Sequence, residues 1–110
     1  MKTKNTALEA KEVKVNDLEV VTLSKPLDID GTKYTTLELR LGELTGEDLE
    51  AAEMQVRSEG IDINTAHELC KPFLLAVAAR AARINRNYLL QLSIKDASKV
   101  TLLVQGFLLN

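Results

Sequence analysis

The chain has 110 residues, a mass of 12.2 kDa, 45% apolar and 27% charged residues, and a formal net charge of −2. That is enough for one domain with a real core, and the mildly acidic balance argues against a nucleic-acid binder, which normally carries a strong basic excess. The single cysteine, Cys70, excludes an internal disulfide and any multi-cysteine zinc site. With no signal-peptide pattern at its start, the chain is expected in a reducing compartment. The longest apolar run, 73–79, is too short for the ~20 residues of a membrane helix.

Chemistry-bearing residues are few. His67 and Cys70 lie three apart, a spacing that on a helix puts them on one face. A nucleophile and base could be built from such a pair, but a buried small thiol beside a surface imidazole explains it more simply. The five glycines are scattered singly and form no phosphate loop. Neither a cofactor nor a metal is expected.

Residues 1–17 are rich in lysine and poor in large apolar groups, with Lys2, Lys4, Glu9, Lys11, Glu12 and Lys14 alternating in sign. They read as a flexible tail. Residues 18–110 read as one domain of α+β class: an N-terminal β-hairpin followed by a small bundle of three to four helices.

The hairpin spans Leu18 to Leu41. Its arms run from Val20 to Ile29 and from Tyr34 to Leu41, with Asp30-Gly31 as the turn. Leu37, Leu39 and Leu41 alternate with Glu38 and Arg40, giving one buried and one wet face. A two-residue loop pairs positions summing to 61 and sets Leu23 against Glu38. A sum of 62 sets Leu23 against Leu39 and Val21 against Leu41. Since a one-residue slip turns a whole face over, burial predicts a three-residue loop or a bulge. Pro26 cannot donate to a ladder and predicts an edge.

Thr45-Gly46-Glu47-Asp48 predicts a capped helix start, with Leu44 and Leu49 at the hydrophobic-staple positions. Gly60 predicts the end near Ser58 or Glu59. After an extended link, 61–63, the next helix is expected from about Asn64 or Thr65 to Ile84. Pro72 either kinks it or begins a new helix. Residues 73–82 are apolar on nearly all sides, as suits a helix that is central in the core or lies against another chain. Asn85-Arg86-Asn87 reads as a break and Tyr88 to Leu92 as a turn. Ser93-Ile94-Lys95-Asp96 opens a last helix to about Leu108. Its main apolar face is Ala97, Val100, Leu103, Val104 and Phe107, and Leu102, Leu108 and Leu109 fall away from it.

Charge is polarised along the chain. Residues 43–62 hold seven acids and one base, and residues 64–88 hold four bases and one acid. Such segments pair within the chain, pair between chains, or stay as two solvated faces. Arg80, Arg83 and Arg86 form a drifting helical stripe suited to phosphates or, more simply in an acidic chain, to carboxylates. The apolar excess at the C-terminus marks a protein interface. The candidate protein-binding residues are Leu102, Leu103, Phe107, Leu108, Arg80 and Arg83.

The blocks Leu23-Ser24-Lys25-Pro26, Asp30-Gly31, Leu37-Glu38-Leu39-Arg40, Gly46-Glu47-Asp48-Leu49 and Leu90-Gln91-Leu92-Ser93-Ile94-Lys95-Asp96, followed by Gly106-Phe107-Leu108, stand in an order that resembles the phage tail assembly chaperones of the P2 and Mu type. The resemblance covers roughly Val20 to Leu108. It implies a non-enzymatic protein of the infected host's cytoplasm, absent from the mature virion. Such a protein binds the tape measure protein and keeps it soluble. It also implies a longer frameshifted form that engages tail tube subunits, with this chain as the short form. Homo-oligomerisation is expected from the apolar excess and the charge polarity. The family pattern makes Pro26, Gly31, Arg40 and Asp96 structural positions: turn, loop, strand end and third helical residue. Two departures, Gly42-Glu43 in place of a proline-containing turn and Pro72 within the second helix, bear on helix boundaries. The same features also suit a structural subunit or adaptor of the tail, and the arginine stripe a small nucleic-acid-binding regulator.

Overall fold

The structure, a computed structural model, describes residues 18–62 and 70–109. The tail expected at 1–17, the first helical turns expected from Asn64, and His67 lie outside the described residues. The described order is β1 (Glu19–Ile29), β2 (Thr32–Leu39), a 3₁₀ turn (Leu41–Glu43), α1 (Gly46–Ser58), α2 (Lys71–Ala82), α3 (Arg86–Leu89) and α4 (Ile94–Leu109). A two-stranded antiparallel hairpin followed by four helices is the α+β architecture that the sequence predicts.

The hairpin corrects the expected register. Asp30 and Gly31 form a two-residue loop, with φ of 53° and 88°. Positive φ at both central positions is what a type I′ turn requires, and its twist matches that of the strands. Next to the turn Ile29 pairs with Thr32 and Leu27 with Tyr34; beyond an irregularity Thr22 pairs with Thr36 and Val21 with Leu37. The pair sum therefore moves from 61 to 58. Neither the three-residue loop nor the pairs Leu23–Leu39 and Val21–Leu41 occur. Burial does select the register, and of the two routes expected it takes the bulge: residues 23–26 of β1 stand opposite Thr35 alone. The offset is odd, so it exchanges the faces and brings buried Val21 against buried Leu37. Pro26 sits in this unpaired stretch, where its missing N–H leaves no ladder bond unmade.

Both ends of α1 follow their sequence signals. Thr45 donates its backbone N–H to Asp48 Oδ2 at 2.8 Å, half of a capping box. At the other end Gly60 takes φ of 80°. Ile61 N–H reaches the Val56 carbonyl at 3.2 Å and Gly60 N–H that of Arg57 at 3.0 Å, the two bonds of a Schellman motif.

Helix α2 starts at Lys71 with Pro72 in its first turn, where a proline has no lost bond to make up for. Of the two expectations for Pro72, the new start holds. The helix ends at Ala82, two residues short of the expected Ile84, because Arg83 turns left-handed at φ 61° and ψ 42°. Ile84 N–H then closes on the Ala79 carbonyl at 3.0 Å. The expected break at 85–87 is also corrected: Asn85 accepts the Asn87 N–H at 2.9 Å and caps the one-turn helix α3.

Helix α2 is the hub. It packs against α1, α3, α4 and β2, while α4 also lies along β1. Phe73, Leu74, Ala76, Val77, Ala78, Ala79 and Ala81 are all buried, as expected of a helix apolar on nearly all sides. Around them close Leu39 from the hairpin, Leu41 from the 3₁₀ turn, Ala52 and Val56 from α1, Leu89 from α3, and Val100 and Val104 from α4. The alanines let these elements approach α2 closely. Shortening Leu74 to alanine is expected to cost about 2–5 kcal/mol in urea unfolding; a loss under about 1 kcal/mol would place the centre of the core elsewhere.

Candidate protein-binding site

Two surfaces carry the residues singled out by the sequence, and α2 separates them. The first is the seam between α1 and α2. Arg80 donates from Nε to Asp48 Oδ1 at 2.9 Å, and Arg83 donates to Glu43 Oε1 at 2.7 Å. Arg86 donates to Glu59 Oε1 and, through Nε, to the Pro72 carbonyl at 3.4 Å. The polarised charge of the two segments is thus paired within the chain. Asp48 serves twice, holding the Thr45 amide with one oxygen and Arg80 with the other. The Thr45 hydrogen bond, then Arg80, hold its carboxyl below the usual range.

Only Arg86 of the three is buried, at 4% exposure. Arg80 and Arg83 remain largely open to solvent while paired, and exposed pairs contribute little.

The second surface is α4. Its N-terminus is fastened to the hairpin by Asp96, which is fully buried. The carboxylate accepts the Ser24 N–H at 2.9 and 3.0 Å, the Ser24 hydroxyl at 3.1 Å and the Lys25 N–H at 3.3 Å. Ser93 Oγ accepts the Asp96 N–H at 3.2 Å, as an N-cap does. Asp96 is the third-residue position that the family pattern implies, and its carboxylate also reaches across to the bulge. The donors it meets are backbone amides that the bulge leaves without a strand partner. Farther along, Lys99 Nζ donates to the Thr22 carbonyl at 3.0 Å, so α4 runs beside β1 toward its start.

At the hairpin's other end Tyr88 donates to Asp30 Oδ1 at 2.7 Å. That hydrogen bond, with burial, pushes the phenol's pKa up.

This placement sorts the candidates on α4. Leu103, Phe107 and Leu108 are half-buried and pack on the core. Leu102 is 61% exposed. Two residues outside the candidate set join it: Leu109 at 62% and Ile94 at 87%. At ~100° per residue, Ile94, Leu102 and Leu109 fall within one quadrant of the helix, away from buried Val100 and Val104. The signal was present in the spacing, since Leu109 follows Leu102 by two helical turns. Arg80 and Arg83 do not join this stripe.

A family model described as phage tail assembly chaperone proteins, E, or 41 or 14, matches residues 20–109. The chain belongs to the phage tail assembly chaperone family. The matched region runs from the second residue of β1 to the last of α4, so family and fold share their limits. Comparison with curated proteins and with solved structures gives no match. Among the described residues of this chaperone, no helix is long and apolar enough to cross a membrane, and no cluster of three or more His, Cys, Asp or Glu could hold a metal.

Asp96 is held below its usual pKa of 3.8 by the Ser24 amide first, then by the Lys25 amide and the Ser93 and Ser24 hydroxyls, against the burial that opposes ionisation. A depressed carboxyl adds stability in full above its unfolded pKa and loses it as pH falls through the folded value. Urea unfolding should therefore show Asp96→Asn less stable than wild type at neutral pH, with the gap closing below about pH 4; a gap independent of pH would contradict the assignment. Arg83→Gly should be neutral or stabilising by up to about 1 kcal/mol, since relief of a left-handed residue outweighs an exposed ion pair. A loss beyond about 1 kcal/mol would mean that the Glu43 pair is stronger than its exposure allows.

Proposed function

We propose that this tail assembly chaperone acts without catalysis, binds the tape measure protein, and keeps it soluble in the host cytoplasm while tail tube subunits assemble. The observation that carries the reading is the family match over 20–109 together with an uncovered apolar stripe on α4. A long helical client offers repeated apolar faces, and a helix laid across α4 is the mode that such a stripe suits. Leu102 would make the direct contact. Leu103, Phe107 and Leu108 would form the apolar shoulder beneath it. Arg80 and Arg83 would add rim contacts to client carboxylates, exchanging their exposed intrachain partners at little expense. Self-association would multiply weak contacts through avidity.

The protein would be absent from finished virions, and a longer frameshifted form would engage tail tube subunits. Pairing of Arg80, Arg83 and Arg86 with carboxylates of the same chain supports protein binding over the nucleic-acid reading.

Co-expression with the tape measure protein of the same tail tests this. The client should become soluble and co-purify with the chain, and Leu102→Asp should cut its soluble fraction several-fold while the chain itself stays folded. An insoluble, unbound client would overturn the reading. So would detection of the chain in purified tails, which belongs to a structural subunit.

A further inference from the structure

Arg83 poses a question that folding does not answer. It stands just past α2 with left-handed backbone, φ 61° and ψ 42°. Glycine or asparagine is the usual occupant of such a place, and an arginine is strained there. Its ion pair with Glu43 leaves the two side chains 68% and 52% exposed, and a pair that open adds little stability. The strain therefore goes unrewarded inside the molecule. Strain of that kind persists where a side chain is needed for function.

The surroundings of Arg83 say which function. An open groove of about 470 Å³ lies along the seam of α1 and α2, and Arg80, Arg83 and Arg86 all line it, together with Asp48, Gln55 and Asn85. Its walls thus carry three guanidinium groups and one carboxylate, since Glu43 and Glu59 hold Arg83 and Arg86 from outside the lining. Arg86 is buried and fixed by Glu59 and the Pro72 carbonyl. Asn85 spends its carbonyl oxygen on the Asn87 N–H, which leaves its amide hydrogens as donors. A positive groove lined by donors takes an anion. The fork of arginine suits carboxylates, and Arg80 already meets Asp48 Oδ1 with both Nε and Nη2 at 2.9 Å. The acids of α1 limit the size of the anion. Glu47 and Glu50 are exposed on that helix and repel a phosphate backbone running past the groove, whereas two neighbouring carboxylates of a protein are short enough to stay within it.

We propose that this groove is a binding site for a short acidic segment of a partner protein, with two neighbouring carboxylates bridging Arg80 and Arg83 beside the fixed charge of Arg86. Arg83 gives up only an exposed pair to do so, and Asp48 keeps the Thr45 N–H while Arg80 is shared. The proposal deepens the reading of the chain as a protein-binding chaperone, on which it rests in taking the partner to be a protein. It gives Arg80 and Arg83 a site of their own, apart from α4.

An NMR titration of the isotope-labelled chain with a capped tetraglutamate peptide at low salt is the test, with capped tetraglutamine, citrate and inorganic phosphate alongside. Tetraglutamate should shift the Nε–H signals of Arg80 and Arg83 and the side-chain amides of Gln55 and Asn85, and added salt should reverse the shifts. Tetraglutamine should leave them in place. Arg83→Gly should bind tetraglutamate about tenfold more weakly yet melt no lower than wild type, so that binding and stability part company. Glu43→Gln should bind it several-fold more tightly, because the competing carboxylate inside the chain is gone.

Equal affinity in wild type and Arg83→Gly overturns the proposal, as do shifts confined to Lys25, Lys95 and Lys99, or shifts from citrate or phosphate with none from tetraglutamate. A lower melting temperature in Arg83→Gly also overturns it, because Arg83 would then have its reason inside the fold. If tetraglutamate binds as expected but the tape measure protein is never bound in co-expression, the groove proposal stands and the chaperone reading fails. If the client is bound and kept soluble but tetraglutamate does not bind, the groove proposal fails and the chaperone reading stands.

Discussion

The Asp96 carboxylate joins two parts of the chain more than seventy residues apart. A β-bulge turns backbone amides out of the sheet, and buried amides without acceptors are destabilising. A helix start has the opposite character, drawing carboxylates to its first turn. Asp96 satisfies both, since it stands in the first turn of α4 and accepts from Ser24 and Lys25. Removing it would leave the bulge amides unmet and α4 without its main polar tie to β1. The bulge is in turn what lets a two-residue Asp-Gly turn coexist with Val21 facing Leu37. Turn, bulge, carboxylate and last helix form one dependent series.

Much of this series was legible in the sequence. Asp30-Gly31, the alternation of Leu37 and Leu39, the Thr45 start, the Gly60 stop and the run of alanines each act through local chemistry, and each element formed where that chemistry put it. The parity argument for the register was sound, and it was met by the bulge rather than by a three-residue loop, because the Asp-Gly pair strongly favours its own two-residue turn. What local chemistry could not specify was where Asp96 would aim its carboxylate, since its acceptor role depends on amides contributed from the far end of the chain. The stop at Arg83 was hidden for a similar reason. Left-handed backbone at an arginine has no residue signature.

The candidate site divides in the same way. The leucines of α4 are visible as an excess, but only packing separates Leu103, Phe107 and Leu108, which lean on the core, from Leu102, which does not. The arginine stripe reads in sequence as a match for carboxylates, and in the structure each guanidinium faces one of the same chain. In the described structure the three arginines are paired within the chain, while Leu102 and Leu109 of α4 stay open to water.

Amide hydrogen exchange at Ser24 and Lys25 tests the account most directly. Both lie in the stretch of β1 that has no strand partner. With Asp96 as their acceptor, they should exchange as slowly as the ladder amides of Val21 and Leu37 at neutral pH, and should lose that protection selectively in Asp96→Ala. Fast exchange of both amides in the wild-type chain would contradict the account, because the bulge would then be open to water and α4 would be held to the hairpin by other means.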